Sequence, residues 1–380
     1  MSQVGNLPAL SRETLAALFG KSLLLTTDWS VGELEALLGV ARHLEAADRA
    51  GMSTALFPDQ LAWALFFDKS TRTKSAWAGA GARLGMSPVI VDGSTTQVEH
   101  GETAEETGAM LGMNSHALGV RHDLILGVGQ SFMRSVRQGI DQYLDDRRET
   151  RKVPVVNLQC DVDHPTQSLA DLMWLLQFFQ GSVAGKRIAM SWAYSPSYAK
   201  PLSVAQAIIT LLPRFGAHVV FAHPEGYQVM PERVAAAKQL AQEGGGSFEI
   251  THSIDEAFRG ADVVYPKSWG PYDLMLERVA ANQRGDKGGL ADIEKRALER
   301  NAQHRDWICD ERRMGLTAGG KALYMHPLPA DIGDEVQPSV MRAHRLNVAE
   351  EAQKKMYIIM ALLAVGKQPD LAGRLEKLGA

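Results

Sequence analysis

The chain has 380 residues, 45% hydrophobic and 22% charged, with a formal net charge of −4. That is ordinary globular composition with room for two or three domains, each large enough for its own core. No basic block offers nucleic acid an electrostatic footprint, no apolar run approaches the ~20 residues of a bilayer span, and Cys160 and Cys309 supply neither a disulfide framework nor zinc-ligand spacing. The start of the chain lacks a charged segment followed by an apolar core. A soluble, cytoplasmic protein is expected.

In chain order, Ser30 and Glu33 have capping-box spacing and open a helix with Leu34, Leu37, Leu38 and Ala41 on one face. An apolar run at 61–67 reads as a buried strand, which delivers Ser70-Thr71-Arg72-Thr73 to the start of a helix through Ala76, Ala80 and Leu84. Free N–H groups at a helix start favour an anion, the hydroxyls add donors, and the arginine fork can grip two oxygens. A phosphate cradle is one reading. Ordinary N-caps with solvated basic neighbours are the other, and no G-x-x-x-x-G-K-[ST] motif decides between them.

A strand at 87–92 leads to a polar, glycine-flanked segment at 93–103, which contains Gln97 and His100 and reads as an exposed loop before a helix near Thr103. The strand at 116–121 ends in Arg121, which is either a surface ion-pair partner or, at the C-terminal edge of a parallel strand, a ligand. The strand at 153–159 runs into Asp163-His164-Pro165-Thr166-Gln167 and a helix through Leu169, Leu172, Met173, Leu176 and Phe179.

Residues 181–186 read as a boundary, after which the pattern restarts. Strands are expected at 187–192, 218–222, 248–251, 262–265 and 322–325, with helices through Ile208 and Leu212, at 231–243 and at 253–259. Alternation of this kind implies a second parallel, doubly wound sheet. A proline-rich loop at 193–202 holds Tyr198 and Lys200, and 279–304 reads as polar helix with a glycine-rich break. The last strand ends in His326-Pro327-Leu328-Pro329, a rigid loop whose carbonyls are left free to accept. An amphipathic helix at 349–365 is expected to pack back across both halves.

Ser70 to Thr73, Arg121, His164 with Gln167, and His326 to Pro329 thus fall at four strand ends. The set resembles the aspartate and ornithine carbamoyltransferase family over nearly the whole chain. In that family S-T-R-T binds the phosphate of carbamoyl phosphate, H-P-x-Q and an upstream arginine bind the carbamoyl group, and H-[PC]-L-P closes the site. The long loop at 195–202 resembles the knotted branch, and 159–168 with 265–269 resemble the YgeW-type transcarbamylases, whose acceptor we treat as unassigned.

The resemblance implies an α/β protein of two doubly wound parallel-sheet domains, with a C-terminal helix packing back on the first and a trefoil-type knot in the second. It divides the chain into a carbamoyl-phosphate-binding domain at 1–165 completed by 347–380, an interdomain helix at 166–180, and an acceptor-binding domain at 181–346. Ser70, Thr71, Arg72 and Thr73 would hold the phosphate, while Thr73, Arg121 and His164 would surround the carbamoyl oxygen. Gln167 and the Leu328 carbonyl would hold the carbamoyl NH2, so the implied catalytic group is Arg72, Thr73, Arg121, His164 and Gln167. Pro327 and Lys355 complete the carbamoyl phosphate contacts. Gln97 and His100 would reach a neighbouring subunit's site, which implies at least a trimer. No metal or cofactor is implied.

The departures bear on the acceptor. His100 replaces a lysine or arginine, Pro327 replaces the cysteine of ornithine-type enzymes, Lys355 replaces an arginine, and nothing in Tyr265-Pro266-Lys267-Ser268-Trp269 matches the aspartate that grips ornithine. Ornithine is therefore not the expected acceptor. Lys267, Ser268, Trp269, His326 and Pro327 are the candidate acceptor contacts, with Lys267 facing a carboxylate; Trp269 reads equally as a core aromatic. Tyr198 and Lys200 are weaker candidates, and Asp163 is expected to orient His164. The implied reaction is carbamoyl transfer from carbamoyl phosphate to a small amine. The alternatives are phosphorolysis of a ureido compound and a non-catalytic homologue that keeps the phosphate site.

Overall fold

The computed structural model describes residues 10–198 and 200–378. Ala199 of the proline-rich loop and the outermost residues of the two expected terminal spans lie outside it. Among the described residues nine strands form two parallel sheets: β1 (Leu61–Phe66), β2 (Ser87–Asp92), β3 (Ala117–His122) and β4 (Val155–Cys160) in the first, and β5 (Arg187–Trp192), β6 (His218–Ala222), β7 (Ser247–Thr251), β8 (Val263–Lys267) and β9 (Leu323–Tyr324) in the second. The strand orders are β2-β1-β3-β4 and β7-β6-β5-β8-β9. Every pairing in both sheets is parallel.

These orders place the sites. In the first sheet the chain steps from β1 outward to β2 and then returns to β3, so the order reverses between β1 and β3. Parallel α/β sheets open a crevice at such a reversal, outside the carboxyl ends of the strands. Register puts Phe66 opposite Arg121, which brings the Ser70 turn and Arg121 to the same edge. The second sheet reverses between β5 and β8, and there Trp192 pairs with Lys267.

The helix Arg72–Arg83 buries Thr73, Ala76, Trp77 and Ala80 against the first sheet. The expected capping box forms: Ser30 accepts from the Glu33 N–H and Glu33 reaches back to Ser30. The helix Gly129–Asp146 was not expected from the sequence, although Met133, Val136, Ile140 and Leu144 give it a buried stripe. It crosses the helix Ala104–Asn114 at a contact that only glycine permits, since a Cβ on Gly108 would lie 2.1 Å from the Val136 carbonyl oxygen and one on Gly139 2.0 Å from that of Glu105.

The helix expected at 349–365 runs from Pro338 to Lys367. It packs on the first half of the chain through buried Lys354, whose ammonium donates to Glu45 at 2.6 Å, and through Tyr357, whose hydroxyl donates to Asp48 at 2.8 Å. The two halves are also joined directly. Arg214 donates to the carbonyls of Thr26 and Trp29, Gln206 to those of Asp161 and Val162, and Arg278 to that of Leu124. No helix among the described residues is long and apolar enough to cross a membrane.

Candidate active site

The turn after β1 is built as its residue types require. The Ser70 hydroxyl accepts from the Thr73 N–H at 3.2 Å, which starts the helix and leaves its other early N–H groups unpaired by side chains. Thr73 is buried, Arg72 is half-buried and Thr71 is exposed. The Arg72 guanidinium meets no acceptor among the described residues, and its pKa is lowered by burial and by the nearby charge of Arg121.

Arg121 is tied down. Its Nε donates to Asp123 Oδ1 at 2.9 Å and its Nη2 to Asp123 Oδ2 at 3.2 Å. The Asp123 N–H donates to Asp68 Oδ2 at 2.8 Å. Burial pushes the Asp123 carboxyl up to about 7, with Arg121 opposing and Asp68 adding to the rise.

His164 caps the helix Pro165–Phe178 and is 3% exposed. Its imidazole is held neutral, its pKa driven well down by burial and then by Lys355, Arg121 and Arg72. Lys355 arrives from the helix Pro338–Lys367 with 3% exposure. It too meets no acceptor among the described residues, and burial, Arg121 and Arg72 bring its pKa down to about 7. Arg72, Arg121 and Lys355 therefore converge on one neutral histidine; among the described residues Arg121 is ion-paired with Asp123, Lys355 feels the buried Asp171 and Glu351 without bonding to either, and Arg72 meets no carboxylate. Positive charge buried without balance is costly, and a bound anion would relieve it.

Gln167 lies one turn into the same helix. Its amide nitrogen donates to Asp171 Oδ1 at 2.6 Å and more distantly to Glu351 Oε1 at 3.4 Å. Its carbonyl oxygen meets no donor among the described residues. Across the cleft, Leu328 takes a left-handed φ of +46°, uncommon for a branched residue, and its N–H donates to His326 Nδ1 at 2.9 Å. The Leu328 carbonyl is likewise free of any partner among the described residues. Both carbonyl oxygens that the resemblance assigns to an NH2 group are thus free to accept.

The expected acceptor contacts divide. Lys267 is buried and donates to its neighbour's carbonyl, that of Ser268, at 2.7 Å, with Glu335 Oε1 at 3.7 Å; burial brings it down to about 8 against the pull of Glu335. Ser268 is fully buried, its N–H bonded to Glu335 Oε1 at 2.7 Å and its hydroxyl unpartnered. Pro327 is buried in the rigid loop. The His326 ring stands 3.3 Å from Glu335 Oε2 and holds the Leu328 turn rather than facing an open site.

Of the two readings of Trp269, the structure favours the core aromatic over the acceptor contact. It is 1% exposed, its indole N–H donates to the Tyr227 carbonyl at 2.8 Å, and its ring stacks on Phe221 at 5.4 Å, so the side chain is core. Asp163 is a correction. Its carboxylate accepts from the Thr26 N–H at 2.7 Å and the Thr26 hydroxyl at 2.8 Å, not from the His164 ring.

Gln97 and His100 occupy exposed short turns after β2, and their side chains bond to nothing among the described residues. Tyr198 stacks under the Arg278 guanidinium at 5.7 Å. Lys200 is an ion-pair partner, 2.6 Å from Asp331 and 3.3 Å from Glu335.

Sequence reasoning missed the acids. Asp123, Asp171, Glu335 and Glu351 surround the named residues, and two carried a helical signal: Asp171 is four residues after Gln167, and Glu351 four before Lys355, each pair on one face.

Residues 21–177 match the model of the aspartate/ornithine carbamoyltransferase carbamoyl-P binding domain, and residues 200–365 that of the Asp/Orn binding domain. YgeW of Escherichia coli, which carries the name of a carbamoyltransferase, is 44% identical over 366 residues, covering 94% of this chain and 92% of that protein. The N-acetylornithine carbamoyltransferase of Xanthomonas campestris pv. campestris is 30% identical over 364 residues, covering 90% of this chain and 97% of its own. Among solved structures, a mutant of N-acetyl-L-ornithine transcarbamylase complexed with carbamyl phosphate and N-succinyl-L-norvaline superposes with a TM-score of 0.73 at 27% identity, covering 90% of this chain and 98% of that one.

Proposed function

The chain belongs to the aspartate/ornithine carbamoyltransferase family, and from that premise we propose that it moves the carbamoyl group of carbamoyl phosphate to the amine of a small acceptor other than ornithine. The observation that carries the reading is the convergence of Arg72, which meets no acceptor among the described residues, with Arg121 and Lys355 beside neutral His164.

In this mechanism Ser70, Thr71, Arg72 and Thr73 hold the phosphate, with Lys355 adding charge from the far side. The acceptor's neutral amine attacks the carbamoyl carbon, and the carbonyl oxygen becomes an oxyanion facing Thr73, Arg121 and His164. Donors set in place before the charge develops are worth about 3 kcal/mol of barrier each. The open carbonyls of Gln167 and Leu328 accept from the carbamoyl NH2. The C–O bond to phosphate then breaks, and the departing phosphate takes the proton released by the amine, so no separate base is required.

The finer reading includes the domain division at 165 and 181, a knotted path within 181–346, and a cytoplasmic setting. It also includes a homotrimer in which Gln97 and His100 act on a neighbour's site, supported by their exposure and their unused side chains. Lys267 is the proposed contact for an acceptor carboxylate.

The test is ureido-product formation from carbamoyl phosphate against aspartate, N-acetyl- and N-succinylornithine, ornithine, putrescine, short diamino acids and oxamate. Product with an acceptor other than ornithine, abolished in Arg72→Ala, is the expected result. Unchanged carbamoyl phosphate affinity in Arg72→Ala would overturn the cradle, and turnover with ornithine alone would overturn the acceptor reading.

A further inference from the structure

Gln167 is itself held by a buried acid pair that the mechanism above does not use. Asp171 and Glu351 are both fully buried, one on the helix Pro165–Phe178 and the other on the helix Pro338–Lys367. They are close enough for one proton to be shared, and burial raises both carboxyls above the ordinary range. Four contacts converge on them. The Gln167 NH2 donates to Asp171 Oδ1 at 2.6 Å and lies 3.4 Å from Glu351 Oε1, the Tyr265 hydroxyl donates to Asp171 Oδ2 at 3.0 Å, and the His326 N–H donates to Glu351 Oε2 at 3.1 Å.

Two fully buried acids are expensive, and apolar residues of similar size would pack as well. What such residues could not supply is a pair of acceptors. A glutamine amide has two faces of nearly equal shape, one donating and one accepting, and only its surroundings choose which one points outward. With Asp171 and Glu351 behind it, the NH2 of Gln167 is committed inward and its carbonyl oxygen is left for the cleft.

We propose that the Asp171–Glu351 pair is a positioning device that fixes Gln167 with its acceptor toward the ligand, so that the site selects an acyl phosphate bearing NH2 over one bearing methyl. The inference rests on the carbamoyl phosphate reading and deepens it, since the two groups differ in hydrogen bonding while matching closely in shape. An inward-facing carbonyl would leave Gln167 presenting donors to the carbamoyl NH2, which carries only donors, and discrimination would be lost.

The test compares two stable probes by calorimetric titration of the full chain at one pH. Phosphonoacetamide carries the NH2, and acetonylphosphonate carries methyl in its place. The wild-type protein is expected to bind phosphonoacetamide about tenfold tighter, the worth of one well-placed buried hydrogen bond. In Asp171→Asn, which can itself donate to the Gln167 carbonyl and turn the amide over, the preference is expected to fall below about threefold, with inorganic phosphate affinity unchanged. In Glu351→Gln the preference should survive, because the new amide donates to Asp171 as a protonated Glu351 does and Asp171 still accepts from Gln167. That arm stands independently should Asp171→Asn fail to fold.

Full preference retained by folded Asp171→Asn would overturn the proposal, as would loss of preference in Glu351→Gln with its fold intact. A wild-type protein that binds both probes equally would instead overturn the carbamoyl phosphate reading of Gln167 itself, so the two failures are distinguishable.

Discussion

Lys355→Arg asks whether the three cations form one anion site. An ordinary lysine titrates near 10.4, whereas burial, Arg121 and Arg72 bring Lys355 down to about 7. In the ligand-free protein it is charged below about pH 7 and neutral above. A bound phosphate dianion supplies the missing opposite charge and raises the lysine back toward its ordinary value, so binding takes up a proton wherever the free lysine has lost one. Affinity is therefore full below about pH 7 and falls as pH rises. At about pH 8 roughly one lysine in eleven keeps its proton, which weakens binding about tenfold, or about 1.4 kcal/mol.

Asp123, itself pushed up to about 7, ionises over the same interval and draws on Arg121, so it acts in the same direction. The substitution separates the two, because arginine stays charged throughout and removes only the lysine's share. The assay is calorimetric titration with carbamoyl phosphate between about pH 7 and 8.5, in two buffers of different ionisation heat, which counts the protons taken up. A shallower fall in affinity and fewer protons are expected for Lys355→Arg. Equal slopes and equal proton counts in the two proteins would refute the reasoning.

Mixing Arg72→Ala subunits with His100→Ala subunits should recover activity that neither has alone, and failure at every mixing ratio would count against sites shared between subunits. Lys267→Met should raise the acceptor KM about tenfold or more while carbamoyl phosphate affinity holds, and an unchanged acceptor KM would remove Lys267 from the pocket. Thr26→Val withdraws one of the two donors to buried Asp163; it should lower stability by about 1–3 kcal/mol in urea unfolding with kcat unaltered. A drop in kcat with stability intact would return Asp163 to the service of His164.

The strands were legible because each is a short apolar run with turn residues behind it. The boundaries at 87–92, 187–192 and 218–222 agree with the structure to the residue. The helix Gly129–Asp146 was passed over despite its stripe, since it has no side-chain N-cap and its two termini are polar. The helix from Pro338 began earlier than read because its first three turns keep Arg342, Arg345 and Leu346 at the surface, where periodicity is weak. Basic and hydroxyl residues of the site were legible as motifs. Their acidic partners were not, because pairing Arg121 with Asp123 is local but pairing Lys267 with Glu335, or Asp171 with Glu351, depends on which helices and loops the fold brings together. Trp269 was left between two readings for the same reason, since nothing in its neighbours reveals that Phe221 lies beneath it.

The two charged clusters at the sheet edges differ in a way that bears on what each can bind. Around His164, Arg72 meets no acceptor among the described residues and Lys355 is bonded to none, with only the buried Asp171 and Glu351 pulling on it, so the charge favours an anion there. Around Glu335 the books nearly balance: Lys200 and Lys267 face Glu335 and Asp331, and His326 is kept neutral by burial against the pull of Glu335. Glu335 stays ionised in spite of burial because these three groups surround it. An acceptor carboxylate reaching Lys267 therefore meets an ammonium already engaged by the Ser268 carbonyl at 2.7 Å and by Glu335 at 3.7 Å, and recognition must loosen one of those contacts. The first cluster is suited to tight capture of a phosphate whatever else is present. The second is suited to discrimination, since only an acceptor whose geometry repays the displaced contact gains from binding there. This asymmetry in charge is the ground for proposing that carbamoyl phosphate binds before the acceptor.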